Sequence, residues 1–99
     1  MRNSKVFGVK GKEIFTDTFL HPGELLREEL EARGISQREF AETIGLRQPH
    51  LNALINGKRG MSPGLALRIE KKLKINAEIW MRLQAKFDLD KARKRLKSA

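Results

Sequence analysis

Gly34-Ile35-Ser36-Gln37-Arg38-Glu39-Phe40-Ala41-Glu42-Thr43-Ile44-Gly45-Leu46-Arg47-Gln48-Pro49-His50-Leu51-Asn52-Ala53-Leu54-Ile55-Asn56-Gly57-Lys58 predicts two short helices joined by one tight turn. Ser36 precedes a run with apolar residues at Phe40, Ala41 and Ile44, so its hydroxyl is placed to accept from an unpaired amide at a helix start. Glu39, three residues on, completes a capping box. Gly45 after Ile44 suits a left-handed terminator, which ends the first helix at Ile44 and frees Leu46 to fold back onto the core. Leu51, Leu54 and Ile55 then recur at helical spacing over Gln48 to Ile55, while Gln48, His50, Asn52, Ala53 and Asn56 fall on other faces. One side of that second helix packs; the other is available to a partner.

Upstream, Pro22 sits at a first-turn position and Leu25, Leu26 and Leu30 continue a helix that Gly34 stops. Downstream, a Gly57-Lys58-Arg59-Gly60 loop leads to Ser62-Pro63, which opens a helix with Leu65, Ala66, Ile69 and Leu73 on one stripe. Asn76 is placed to cap a fifth helix, in which Ile79, Trp80, Leu83 and Phe87 recur every three or four residues. Residues 1–18 form an N-terminal extension, where a short hairpin around Lys10-Gly11 and a flexible, disordered segment are both compatible with the pattern. The basic tail, 91–99, has helix-forming residues but almost no apolar face, so it is expected to fray or to order only on a partner. The architecture expected is an all-α, five-helix domain over residues 19–90, with the helix-turn-helix at its centre.

A helix-turn-helix sets its second helix into the DNA major groove. The capped helix, the Ala41 followed by Ile44-Gly45-Leu46, and the closing Asn56-Gly57-Lys58-Arg59 resemble the phage-repressor, lambda-repressor-like type. His21-Pro22-Gly23-Glu24, Gly57-Lys58-Arg59-Gly60 and Ile79-Trp80-Met81-Arg82-Leu83-Gln84 narrow the match: from Phe19 to Asp90 the chain resembles the HigA-type antitoxins of bacterial toxin-antitoxin operons. That resemblance implies a homodimer on an inverted-repeat operator in double-stranded DNA, autorepression of the operon, and neutralisation of a small ribonuclease toxin of the HigB type. The rivals are a freestanding phage or plasmid repressor with no toxin partner, and an RNA-binding or adaptor protein acting through the basic tail.

Composition bounds these readings. A chain of 99 residues has room for one domain. With 39% apolar residues and no long apolar run, no membrane span or signal peptide is expected, and a cytoplasmic location follows by default. Cysteine is absent, which excludes disulfides, thiolate metal sites and a cysteine nucleophile. His21 and His50 belong to different helices, no carboxylate pair stands out, and Gly57-Lys58-Arg59-Gly60 is too short to cradle a nucleotide. No enzymatic activity, cofactor, metal or small-molecule substrate is therefore expected. The net charge of +9 favours a polyanionic partner, although from His21 to Gly60 acids and bases balance and most of the surplus lies after Gly60.

Within the balanced segment, placement decides. Gln48, His50, Asn52 and Ala53 are the candidates for base edges, since amides offer adenine a donor and an acceptor together and a methyl can meet thymine. Gln37, Arg38, Arg47, Asn56, Lys58 and Arg59 are candidates for phosphate, with an Arg38–Glu42 pair as the alternative use of Arg38. Pro49 removes a backbone donor where repressors often carry a reading side chain. Ile79, Trp80, Leu83 and Phe87 serve either the core or a dimer interface. Glu24, Glu28, Glu29 and Glu31 form an acidic face on the first helix, suited to a basic toxin or simply solvated.

Overall fold

Five helices follow one another through short connections in the computed structural model, which describes residues 5–7, 13–15 and 19–98. They are α1 (Pro22–Arg33), α2 (Gln37–Ile44), α3 (Gln48–Ile55), α4 (Pro63–Leu73) and α5 (Ala77–Ser98). Ahead of them β1 (Lys5–Phe7) and β2 (Glu13–Phe15) pair antiparallel with Val6 opposite Ile14. The turn expected at Lys10-Gly11 lies outside the described residues.

The helix boundaries follow local chemistry. At α2 the Ser36 hydroxyl accepts from Glu39 N at 3.0 Å and the Glu39 carboxylate accepts from Ser36 N at 3.1 Å, which completes the capping box. Gly45 closes the helix at φ 68°, a conformation in which a Cβ is penalised, and Leu46 N donates back to Ala41 O at 2.9 Å. Ser62 caps α4 through Leu65 N at 3.2 Å. Two caps were not anticipated. The His21 ring caps α1, Nδ1 accepting from Gly23 N at 2.9 Å, and a carboxylate from α4, Glu70, accepts from Ala77 N at the start of α5.

The core is one cluster drawn from all five helices, with Leu25, Leu26, Phe40, Leu51, Leu54, Ile69, Leu73 and Trp80 at its centre. Two loop residues outside every helical stripe, Met61 and Ile75, join it. Trp80 is 0% exposed, and its indole Nε1 donates to Ile75 O at 3.1 Å, so the one polar atom of that ring is satisfied inside.

The expectation for the basic tail is corrected. Residues 91–98 continue α5 as part of one 22-residue helix rather than fraying after Asp90. Extension from an anchored helix adds turns without repeating the cost of nucleation, and Lys, Arg, Ala and Leu are all strong helix formers. Asp90 ties the two halves together through Lys86 and Arg93, each at 3.4 Å.

Candidate nucleic-acid interface

The back of α3 is fixed by burial. Leu51, Leu54 and Ile55 face inward, and α1 crosses the last turn so closely that a Cβ on Gly23 would lie 2.1 Å from Leu54 O. Only glycine admits that approach. The chain leaving α3 then curls back over it, with Lys58 N donating to Ala53 O at 2.8 Å and Arg59 N to the same oxygen at 3.3 Å. From the far side Gln84 of α5 accepts from Met61 N at 2.7 Å and lies over Gly60. His21 completes the clamp: it is buried, lies edge-on to Phe87 with centroids 4.6 Å apart, and sits against the loop leaving α3 at Gly57. Its pKa is held below 6.5 by desolvation, against the opposing pull of Glu24, the Arg59 backbone and Asp88.

The front of α3 stays open. Gln48 and Asn52 are exposed, while His50 and Ala53 are half-buried on either flank. Asn52 Nδ2 donates to Gln37 Oε1 at 3.2 Å, so the first residue of α2 braces the middle of α3. Asn56 Nδ2 donates to the Asn52 carbonyl at 2.9 Å and to Asn52 Oδ1 at 3.2 Å. Arg27 of α1 donates in turn to Asn56 Oδ1 at 2.7 Å. Three of the candidates, Gln37, Asn52 and Asn56, thus form one chain of amides. Arg27 was not among the sequence candidates, because it sits 29 positions from its partner and no local pattern marks it.

Several polar and charged side chains around this face have no partner among the described residues. Among the described residues Arg38, Arg47, Gln48 and Lys58 make no side-chain hydrogen bond or ion pair within the chain, and the Arg38–Glu42 alternative is not realised. No side chain caps the first turn of α3, where Arg47 occupies the cap position and Pro49 follows. Amides there remain unpaired within the helix, as an anion would require. The His50 pKa lies below 6.5, first through partial desolvation and then through the Arg59 guanidinium, so at neutral pH its ring offers one donor and one acceptor.

Two candidate surfaces are corrected. Ile79, Trp80 and Leu83 are at most 1% exposed within the single chain, where α4, α5 and the 74–76 connection bury them, so they are unavailable to a dimer partner. Phe87 is half-buried beside His21. Glu29, at 3% exposure, turns inward and pairs with Arg33 at 3.3 Å, and Arg33 also donates to Leu73 O at 2.9 Å. It belongs to the α1–α4 junction. Glu24, Glu28 and Glu31 do remain exposed, lining with Phe19 and Arg27 an open groove of about 310 Å³. Among the described residues no cluster of His, Cys, Asp and Glu is placed to hold a metal, and no helix is long and apolar enough to cross a membrane.

This geometry has counterparts among known proteins. The helix-turn-helix family HTH_3 matches residues 26–80. Virulence-associated protein A' of Dichelobacter nodosus is 39% identical over 70 residues, an alignment that takes in 70% of this chain and 61% of that protein. This chain thus spans about three fifths of that relative's length. Among solved structures, antitoxin HigA of Pseudomonas aeruginosa with the higBA promoter superposes with a TM-score of 0.74 at 32% identity, over 79% of this chain and 86% of that one. An addiction module antidote protein of the HigA family from Coxiella burnetii gives 0.73 at 32% identity with the same two coverages.

Proposed function

Because this chain belongs to the HTH_3 helix-turn-helix family, with the fold of HigA antitoxins, we propose that it is a sequence-specific DNA-binding antitoxin that represses its own operon and neutralises a small ribonuclease toxin of the HigB type. The observation that carries this reading is the open front of α3. Gln48, His50, Asn52 and Ala53 meet base edges, while Arg47 at one end of the helix and Lys58 and Arg59 at the other take phosphates on both sides of the groove. Gln37, Arg38 and Asn56 border the same face.

The operator is an inverted repeat, read by two copies whose α3 helices stand about 34 to 36 Å apart, one turn of DNA. The two copies meet through the outer face of α5 rather than through the buried stripe. There Ala85, Leu89, Ala92 and Leu96 follow the alternating four- and three-residue spacing of a helix-pairing seam, and Leu89 and Leu96 are 53% and 77% exposed. The toxin docks on α1, where Glu24, Glu28 and Glu31 beside Phe19 offer an acidic, partly apolar groove to a basic, RNA-handling protein.

The test is selection of duplexes from a randomised pool, followed by titration of the selected duplex, random duplex and RNA over a salt series. Enrichment of an inverted repeat with half-sites one turn apart supports the reading, and a preference for RNA overturns it. For the toxin, co-expression with a HigB-type ribonuclease must restore growth and co-purify. Rescue that survives Glu24→Lys, Glu28→Lys and Glu31→Lys together moves the docking surface off α1.

A further inference from the structure

The chain Arg27–Asn56–Asn52–Gln37 crosses three helices and has a direction. Of its four side chains only the guanidinium is restricted to donating, because each amide carries both a donor and an acceptor end. Arg27 therefore faces Asn56 with hydrogen, at 2.7 Å, and Asn56 must answer with Oδ1. That leaves Asn56 Nδ2 turned toward Asn52, where it meets the carbonyl at 2.9 Å and Oδ1 at 3.2 Å. With its oxygen so engaged, Asn52 points Nδ2 at Gln37 Oε1, 3.2 Å away. The polarity of the three amides is thus fixed from two sides of Asn56, by a guanidinium that can only donate and by the Asn52 main-chain carbonyl, which can only accept.

We propose that Arg27, on α1 and outside the helix-turn-helix, is a positioning residue for base reading: through Asn56 it braces the Asn52 amide in the orientation presented to DNA. The proposal rests on the assignment of α3 as the reading helix. After the internal bonds are made, Asn52 retains one N–H and one oxygen lone pair, the combination that a bidentate contact to adenine uses. Without Arg27 the Asn56 amide is held only by its bonds to Asn52, the brace on Asn52 loosens, and more of the reading edge must be ordered at the moment of binding. The short charge-assisted bond at the head of the chain adds to the Asn52 carbonyl in separating the two orientations.

Arg27→Met keeps the length and apolar stem of the side chain and removes its donors; Arg27→Lys restores a donor-only group. Both are compared with wild type on the duplex that the wild type selects from a randomised pool and on random duplex. The expected result is a fall of about tenfold in the preference for the selected duplex in Arg27→Met, the size of one good base contact. Affinity for random duplex and its salt slope stay unchanged, Arg27→Lys recovers part of the preference, and Arg27→Met adds nothing on an Asn52→Ala background. In the free protein, the side-chain amide resonances of Asn52 and Asn56 shift in Arg27→Met. Equal weakening on both duplexes with a salt slope lower by about one identifies Arg27 as a phosphate contact and overturns the proposal. If Asn52→Ala relaxes the preference and Arg27→Met does not, the positioning role alone fails. A wild type that selects no duplex removes the reading of α3 and this proposal with it.

Discussion

α3 and α5 carry the same kind of signal, apolar residues at three- and four-residue spacing with polar residues between, and they do opposite things with it. In α3 the apolar set, Leu51, Leu54 and Ile55, is buried by α1 and α2 and the polar set is left outside. In α5 the apolar set Ile79, Trp80 and Leu83 is consumed inside the same chain, and the surplus appears further along, at Leu89 and Leu96. Periodicity identifies a face that must be covered; it says nothing of what covers it. His21, pressed between Phe87 of α5 and the loop leaving α3, is where the two helices are pinned together.

The comparison breaks most visibly at Trp80. Trp80→Ala should cost about 3 to 5 kcal/mol in urea unfolding, as for a large aromatic removed from a packed core. Leu89→Ala with Leu96→Ala should leave monomer stability within about 0.5 kcal/mol and abolish the proposed dimer in sedimentation. A stable Trp80→Ala monomer would return that residue to an interface role. On α3 the expected effect moves from stability to selectivity: Gln48→Ala and Asn52→Ala should each cost about 1 to 3 kcal/mol of preference for the selected duplex, with the thermal midpoint unmoved. Operator preference that survives both substitutions removes these two residues from the reading set.

The pin between the helices predicts a pH dependence. His21 has a folded pKa below its usual 6.5, so the unfolded chain binds the proton more readily. Stability is complete above about pH 6.5 and is lost as pH falls through and below that value, the neutral Nδ1 being the acceptor that caps α1. His21→Asn retains a capping oxygen and should flatten a plot of thermal midpoint against pH between 7.5 and 5.5; His50, shifted the same way, leaves a residual slope. The smallest effect is at Lys74, which ends α4 at φ 61° without being glycine. Lys74→Gly should raise stability by up to about 1 kcal/mol in the same urea series.

The elements whose ends are set within a few residues were legible in advance: Ser36 and Glu39, Gly45, Ser62 and Pro63 place α2, α3 and α4 where they stand. The end of α5 was not, because its last turns have no apolar face to read and are held by propagation from the turns before. In the site, the exposure of Gln48 and Asn52 follows from the helical spacing of the leucines behind them. Arg27, Gln84 and His21 do not, since each acts on a loop or helix far away in the chain.

By itself the chain of residues determined the serine caps of α2 and α4, the tight turn at Gly45 and the face that α3 turns outward, because caps, turns and periodicity are decided within one or two helical turns. Only the tertiary structure decided that Gly23 lies against the Leu54 carbonyl, that Glu29 turns inward, that Trp80 is buried within one chain, and that a guanidinium on α1 meets the amide that caps the end of α3. Those outcomes depend on which surfaces meet, and contact between segments tens of residues apart is settled by packing the whole core at once.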